Sequence, residues 1–138
     1  MRVVVDASVA VKWYLEEDHA APARRLLDGT YELIVPDLFF MEIGNVLWKR
    51  WRRGELDDDV IAETLAALDR VPCETRSARP LLSGAMALAT SLRLTVYDSL
   101  YLALAIDTGA RLVTADRRFR ASVAASPLAG HILWVEDL

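Results

Sequence analysis

Histidine and cysteine are nearly missing from this 138-residue chain, with His19, His131 and Cys73 the whole supply. A lone cysteine excludes a disulfide framework and a Cys-based zinc site, and two histidines supply Ser-His or Zn-His chemistry poorly. Long apolar runs are absent too: no stretch approaches membrane-spanning length. The first residues, MRVVVDAS, lack the cationic, apolar and cleavage regions of a signal peptide, so the cytoplasm is the expected compartment. Nor is there an excess of basic charge. The formal charge of −4 would ordinarily argue against a nucleic-acid partner, but a cluster of metal-binding acids can dominate such a sum. Low-complexity sequence is lacking as well, and the hydrophobic fraction of 54% argues for a packed globule rather than disorder. The length fits one domain over residues 1–138, without linker or internal repeat.

What is present is an alternation of short apolar runs and helical patterns. Val3, Val4 and Val5 form a continuous run that suits a strand covered on both faces, and it ends at Asp6. A short helix through Leu15 follows, with Ser8 expected as its N-cap. Residues 20–28 predict a helix and 31–35 a second strand. Asp37 is expected to cap a long helix that Gly54 ends. Within it Leu38, Phe39, Ile43, Val46 and Leu47 have the spacing of an inward stripe, and Glu42 lies inside that stripe, where an unpaired acid is expensive to bury. Asp57 begins another helix with Val60, Ile61, Leu65 and Leu68 spaced for burial. Residues 71–75 read as a short strand, 80–92 as a small-residue helix and 131–135 as a final strand. Residues 117–119 are a turn or the start of a short helix. The alternation gives a parallel, layered α/β domain.

The stretch TVYDSLYLALAIDTGARLVTAD carries an acid near each end. A helix opened by Asp98 and stopped by Gly109 climbs about 15 Å, and a strand over 111–115 returns nearly as far, so Asp98 and Asp116 meet at one sheet edge. That is the strand carboxyl edge, where open α/β sheets place ligands. Asp6, Glu42, Asp98 and Asp116 pooled there repel strongly, about 4 kcal/mol per pair at 4 Å and an effective dielectric of 20. Such a site needs protons or a cation, and oxygen-only ligands point to Mg²⁺ or Mn²⁺ rather than zinc. An ion of this kind activates water and neutralises a phosphate, so phosphodiester hydrolysis follows. Ser8 and Thr114 are placed to hydrogen-bond ligand carboxylates, and Asn45 to orient Glu42; a cap, a strand Thr and a helix-packing amide are the structural alternatives. Lys12 and Arg117 are candidates to reach a scissile phosphate. Lys49, Arg50, Arg52 and Arg53, interrupted by Trp51, form either a solvated last turn or a basic, aromatic nucleic-acid patch, and Arg117, Arg118 and Arg120 form a second basic cluster.

Four fragments, VVVDASVAVKW, PDLFFMEIGNVLWK, TVYDSLYLALA and LVTADRRF, cover nearly the whole chain in order. In them the chain resembles the PIN-domain ribonucleases, most of all the free-standing VapC-type toxins of prokaryotic toxin–antitoxin pairs. The resemblance implies a parallel sheet in the order 3-2-1-4-5 with helices on both faces, and Mg²⁺- or Mn²⁺-dependent endoribonuclease activity. It places the family's acids on Asp6, Glu42, Asp98 and Asp116 and its hydroxyls on Ser8 and Thr114, with no departure at an acidic position. It also implies a homodimer and a small cognate antitoxin. Two other readings compete. In an Asp-based phosphotransfer fold, a dehalogenase-like phosphatase wants a second Asp where this chain has Ser8, and a receiver wants a phospho-acceptor Asp after the third strand. A PIN-like scaffold that binds RNA or a partner without cutting would have to keep an uncompensated acidic pocket.

Overall fold

Three valines set the centre of the sheet. In the computed structural model, which describes residues 1–138, Val3, Val4 and Val5 are fully buried in strand β1 (Arg2–Val5). One edge of β1 pairs with β2 (Glu32–Pro36), Val3 opposite Leu33, and the other with β4 (Arg111–Thr114), Val4 opposite Leu112. With β3 (Cys73–Arg76) and β5 (Ile132–Trp134) outside these, the five strands are all parallel in the order 3-2-1-4-5. A strand flanked on both edges and covered on both faces has no solvent side, so its sequence cannot alternate.

The connections carry α1 (Ala7–Ala10), α2 (Ala20–Arg24), α3 (Leu38–Arg52), α4 (Asp58–Leu68), α5 (Leu82–Leu92), α6 (Val96–Thr108) and α7 (Arg117–Ala124). The chain moves outward from β1 to β3, then crosses back to β4 and on to β5. Right-handed crossovers in opposite directions put the helices of the two legs on opposite faces. The reversal also makes the gap between β1 and β4 the topological switch point, where the carboxyl ends of adjacent strands part. Asp6 follows β1 and Asp116 follows β4, so both acids stand at that gap. Helix α6 lies against β1, β2 and β4 and buries Ser99 through Ala105 without interruption. A helix buried all round has no polar stripe, and this one is held as a core element.

Several expectations about helix starts are corrected. Ser8 does not cap α1: Asp6 does, accepting the Ser8 N–H at 3.4 Å. Helix α6 begins at Val96, not Asp98, because Thr95 Oγ1 accepts the Asp98 N–H at 3.1 Å. Asp98 is thus the third helical residue, in the T-x-x-D pattern of a capping box. Asp37 precedes α3 but its side chain makes no cap bond; Oδ1 instead accepts the Ala78 N–H at 3.1 Å, tying the start of α3 to the chain beyond β3. The helix expected over 20–28 tightens into a 3-10 turn at Arg25–Leu27, where the Ala23 carbonyl accepts the Trp13 indole N–H at 3.0 Å. Leu65, expected inward, is 43% exposed, because the buried face of α4 runs through Thr64 and Leu68. Residues 117–119 open a true helix, capped by Asp116.

Gly109 ends α6 at φ 65°, and a Cβ placed there would meet no neighbour within 4 Å. The turn returning the chain from α6 to β4 therefore needs glycine for conformation rather than space. Gly109→Ala should cost about 1 kcal/mol in urea unfolding. Gly44→Ala in mid-α3, equally free of neighbours, should instead gain about 0.5–1 kcal/mol.

Candidate active site

Asp6 is the fixed point of the site. Its backbone N–H donates to the Val113 carbonyl at 3.1 Å, and its carboxylate is buried. Ser8 Oγ and Thr114 Oγ1 each donate to Oδ2 at 2.8 Å. Both hydroxyls are aimed by backbone donors: Ser8 Oγ accepts the Ala115 N–H at 3.3 Å, and Thr114 Oγ1 accepts the Asp116 N–H at 3.1 Å. A hydroxyl that receives an N–H directs its single proton elsewhere, here to Asp6. Oδ1 receives only the long Ser8 N–H and is the oxygen left for a ligand.

The other acids arrive from three elements. Asp116 Oδ1 accepts the Arg118 and Phe119 N–H groups at 2.9 and 3.0 Å, which leaves its Oδ2 without a protein donor. Asp98 comes from the first turn of α6 and Glu42 from α3, both half-buried. Burial, and then the Asp116 charge, push Asp6 up while the Ser8 and Thr114 bonds pull it down. Burial first, then the charges of Asp6 and Asp98, push Glu42 up to about 7. Burial, then Asp6 and Asp116, push Asp98 up to about 6. The four acids therefore form one electrostatic cluster, graded from buried Asp6 to exposed Asp116.

One residue of the site carries no signal in the sequence pattern. Tyr101 is fully buried on α6, and neither its hydroxyl nor Glu42 Oε1 has a hydrogen-bond partner. The phenol lies close to the Glu42 carboxylate and to the Ala7 backbone, though neither contact meets strict hydrogen-bond geometry. A phenol inside an apolar helix reads as core; its spacing of three from Asp98 is the one available hint. Asn45 is exposed and makes no hydrogen bond to Glu42, so the structure does not bring it into the cluster. Lys12 Nζ is 2.9 Å from Glu17, which Arg50 also engages. Arg52 lies over the Trp48 ring at 5.5 Å, Arg53 pairs with Glu55 at 3.4 Å, and Arg117 and Arg120 lie over Trp134 at 5.9 and 4.9 Å. Lys49 and Arg118 are exposed and make no ion pair.

As they stand, no three acids form a ready-made ligand group about one point. Mutual repulsion and burial oppose such closure until a cation compensates them. The donor chemistry nevertheless fits a hard divalent ion: the available atoms are all oxygens, and Glu42 Oε1 is buried without a partner.

A parallel sheet of this order, with carboxylates converging at its switch point, defines an α/β nuclease-like domain of the kind the resemblance implied. Residues 3–123 match the PIN domain, and the chain belongs to that family. It is 38% identical over 120 residues to Ribonuclease VapC3 of Pyrobaculum aerophilum, covering 86% of this chain and 92% of that protein. The crystal structure of PAE2754 from Pyrobaculum aerophilum superposes with a TM-score of 0.73 at 27% identity, over 99% of this chain and 85% of that one. A chain of the toxin-antitoxin complex from Klebsiella pneumoniae shares the fold, with a TM-score of 0.65 at 13% identity over 99% of each.

The raised carboxyls make metal-free stability pH-dependent. In the folded chain Asp98 and Glu42 hold protons more tightly than their ordinary values of 3.8 and 4.5. Their contribution is fully present below those values and is lost as pH rises to about 6 and about 7. In EDTA, urea midpoints should fall across that interval, and Asp98→Asn should flatten the fall and stabilise the protein at neutral pH.

Proposed function

We propose that the protein is a Mg²⁺- or Mn²⁺-dependent endoribonuclease that hydrolyses RNA phosphodiester bonds and acts as the toxin of a toxin–antitoxin pair. The observation that carries this reading is the convergence of Asp6, Glu42, Asp98 and Asp116 at the switch point of a PIN fold, in a chain similar to Ribonuclease VapC3. These four acids would hold the ion, which when bound neutralises the phosphate and makes water acidic enough to attack. Ser8 and Thr114 fix the Asp6 carboxylate so that Oδ1 faces the site. Asp116 holds the start of α7 while presenting Oδ2. Asp98 and Glu42, which hold their protons above the usual carboxylate range, would have to release them to hold the ion.

RNA reaches the acids along α3 and the turn after β4. Lys49 is seven residues beyond Glu42, about 10 Å along the helix, and Arg53 follows one turn later. With half-exposed Trp48 and Trp51 beside them, these cations suit a nucleic-acid track that pairs phosphate contacts with base stacking. Arg118 offers a further unpaired cation beside Asp116. Lys12 and Arg50, engaged by Glu17, contribute less. A homodimer fits the exposed apolar side chains Leu82 and Met86 of α5 and Ile106 of α6. A small cognate antitoxin fits the same reading, as does a cytoplasmic site of action; no helix is long and apolar enough to cross a membrane.

Asp6→Asn and Asp98→Asn should each lower RNA cleavage by about 100-fold or more, the rate equivalent of several kcal/mol, while circular dichroism stays unchanged. EDTA should abolish cleavage and Mn²⁺ restore it. Full activity in Asp98→Asn, or cleavage that persists in EDTA, contradicts the assignment. RNA left intact by the purified protein with Mn²⁺ points to a non-cutting scaffold. Lys49→Glu should weaken RNA binding at low salt and reduce the salt slope by about 1, read from titrations at several salt concentrations.

A further inference from the structure

Only three buried side-chain oxygens in the protein lack a hydrogen-bond partner, and two of them, Glu42 Oε1 and the Tyr101 hydroxyl, belong to the acidic site. The third is on Tyr14, which lines an apolar cavity with Leu26, Leu33 and Val71. A buried hydroxyl without a partner is destabilising, and a phenylalanine would fill nearly the same volume without that cost. Tyr101 is fully buried, away from bulk solvent. Its polar neighbours are the Glu42 and Asp6 carboxylates and the Ala7 backbone. Asp6 Oδ2 already has two hydroxyl donors at 2.8 Å, whereas Glu42 Oε1 has none.

We infer that Tyr101 is a positioning residue for the site, its buried hydroxyl serving as the donor that orients Glu42 through Oε1. The inference rests on the reading of the four acids as a cation site. A phenol has one proton to give, and an ionised carboxylate can only accept, so the pair has a single possible polarity. Tyr101 stands three residues after Asp98, on the same side of α6, and Glu42 approaches from α3. The bond would tie Glu42 of α3 to α6, the helix that carries Asp98.

The test is Mn²⁺ binding, measured by calorimetry on the parent, Tyr101→Phe, Glu42→Gln and the double variant, with unfolding temperatures in EDTA. Tyr101→Phe should weaken Mn²⁺ binding about 10-fold or more without lowering the unfolding temperature in EDTA. In the Glu42→Gln background the same substitution should change affinity little, because the carboxylate it serves is gone. Equal affinity in parent and Tyr101→Phe, an equal loss in both backgrounds, or a lower unfolding temperature in EDTA would each overturn the inference and assign Tyr101 to packing. If the parent binds Mn²⁺ and Tyr101→Phe matches it, the cation site stands and only Tyr101's role falls. A parent that binds no Mn²⁺ overturns both.

Discussion

Burying the Asp6 carboxylate at the end of the central strand is the constraint around which the other parts are arranged. A carboxylate with 4% exposure must be hydrogen-bonded, charge-compensated or protonated. Here Ser8 follows it in α1, Thr114 ends the neighbouring strand, and both hydroxyls converge on one oxygen. Those bonds depend on β1 and β4 being adjacent and parallel, in the register that sets Val5 against Val113. The pairing in turn depends on Gly109 turning the chain out of α6 into β4. A single buried acid thus connects strand register, helix length and loop conformation.

The same arrangement carries an energetic conflict. Asp98 and Glu42 are held where burial and neighbouring charge oppose their ionisation, so near neutral pH the cluster is a destabilising element within a well-packed core. Conflict of this kind at a ligand edge is the physical mark of a site built for something absent from the folded chain alone. A divalent cation, as proposed above, would offset the repulsion and displace the protons together. Asp98 stands at the head of α6, whose residues Ser99 through Ala105 are all buried and anchor it in the core.

Much of this is legible from residues alone, and the parts that are not share a cause. The valine run, the out-of-place Glu42 and the helix-strand return from Asp98 to Asp116 signal through local pattern, and pattern places them correctly. Ser8 reads as a cap because capping is a local preference; its hydroxyl instead serves a tertiary arrangement on Asp6, which Thr114 joins from β4. Asn45 fails for rotational reasons: two residues after buried Ile43 it lies about 200° around α3, on the solvent side, while Glu42 sits at the stripe's margin. Tyr101 is invisible because a tyrosine in an apolar helix gives the same periodicity as a phenylalanine, and only three-dimensional burial exposes its unpartnered hydroxyl.

The central claim, that four carboxylates form one cation site, is tested most directly by the protons it must release. Mn²⁺ binding can be measured by calorimetry at pH values between about 6 and about 7, where Asp98 and Glu42 are partly protonated, in buffers of different ionisation enthalpy. The account predicts net proton release that diminishes as pH rises past about 7 and disappears, together with tight binding, in Asp6→Asn. Binding without proton release, at a site indifferent to Asp6→Asn, would contradict it.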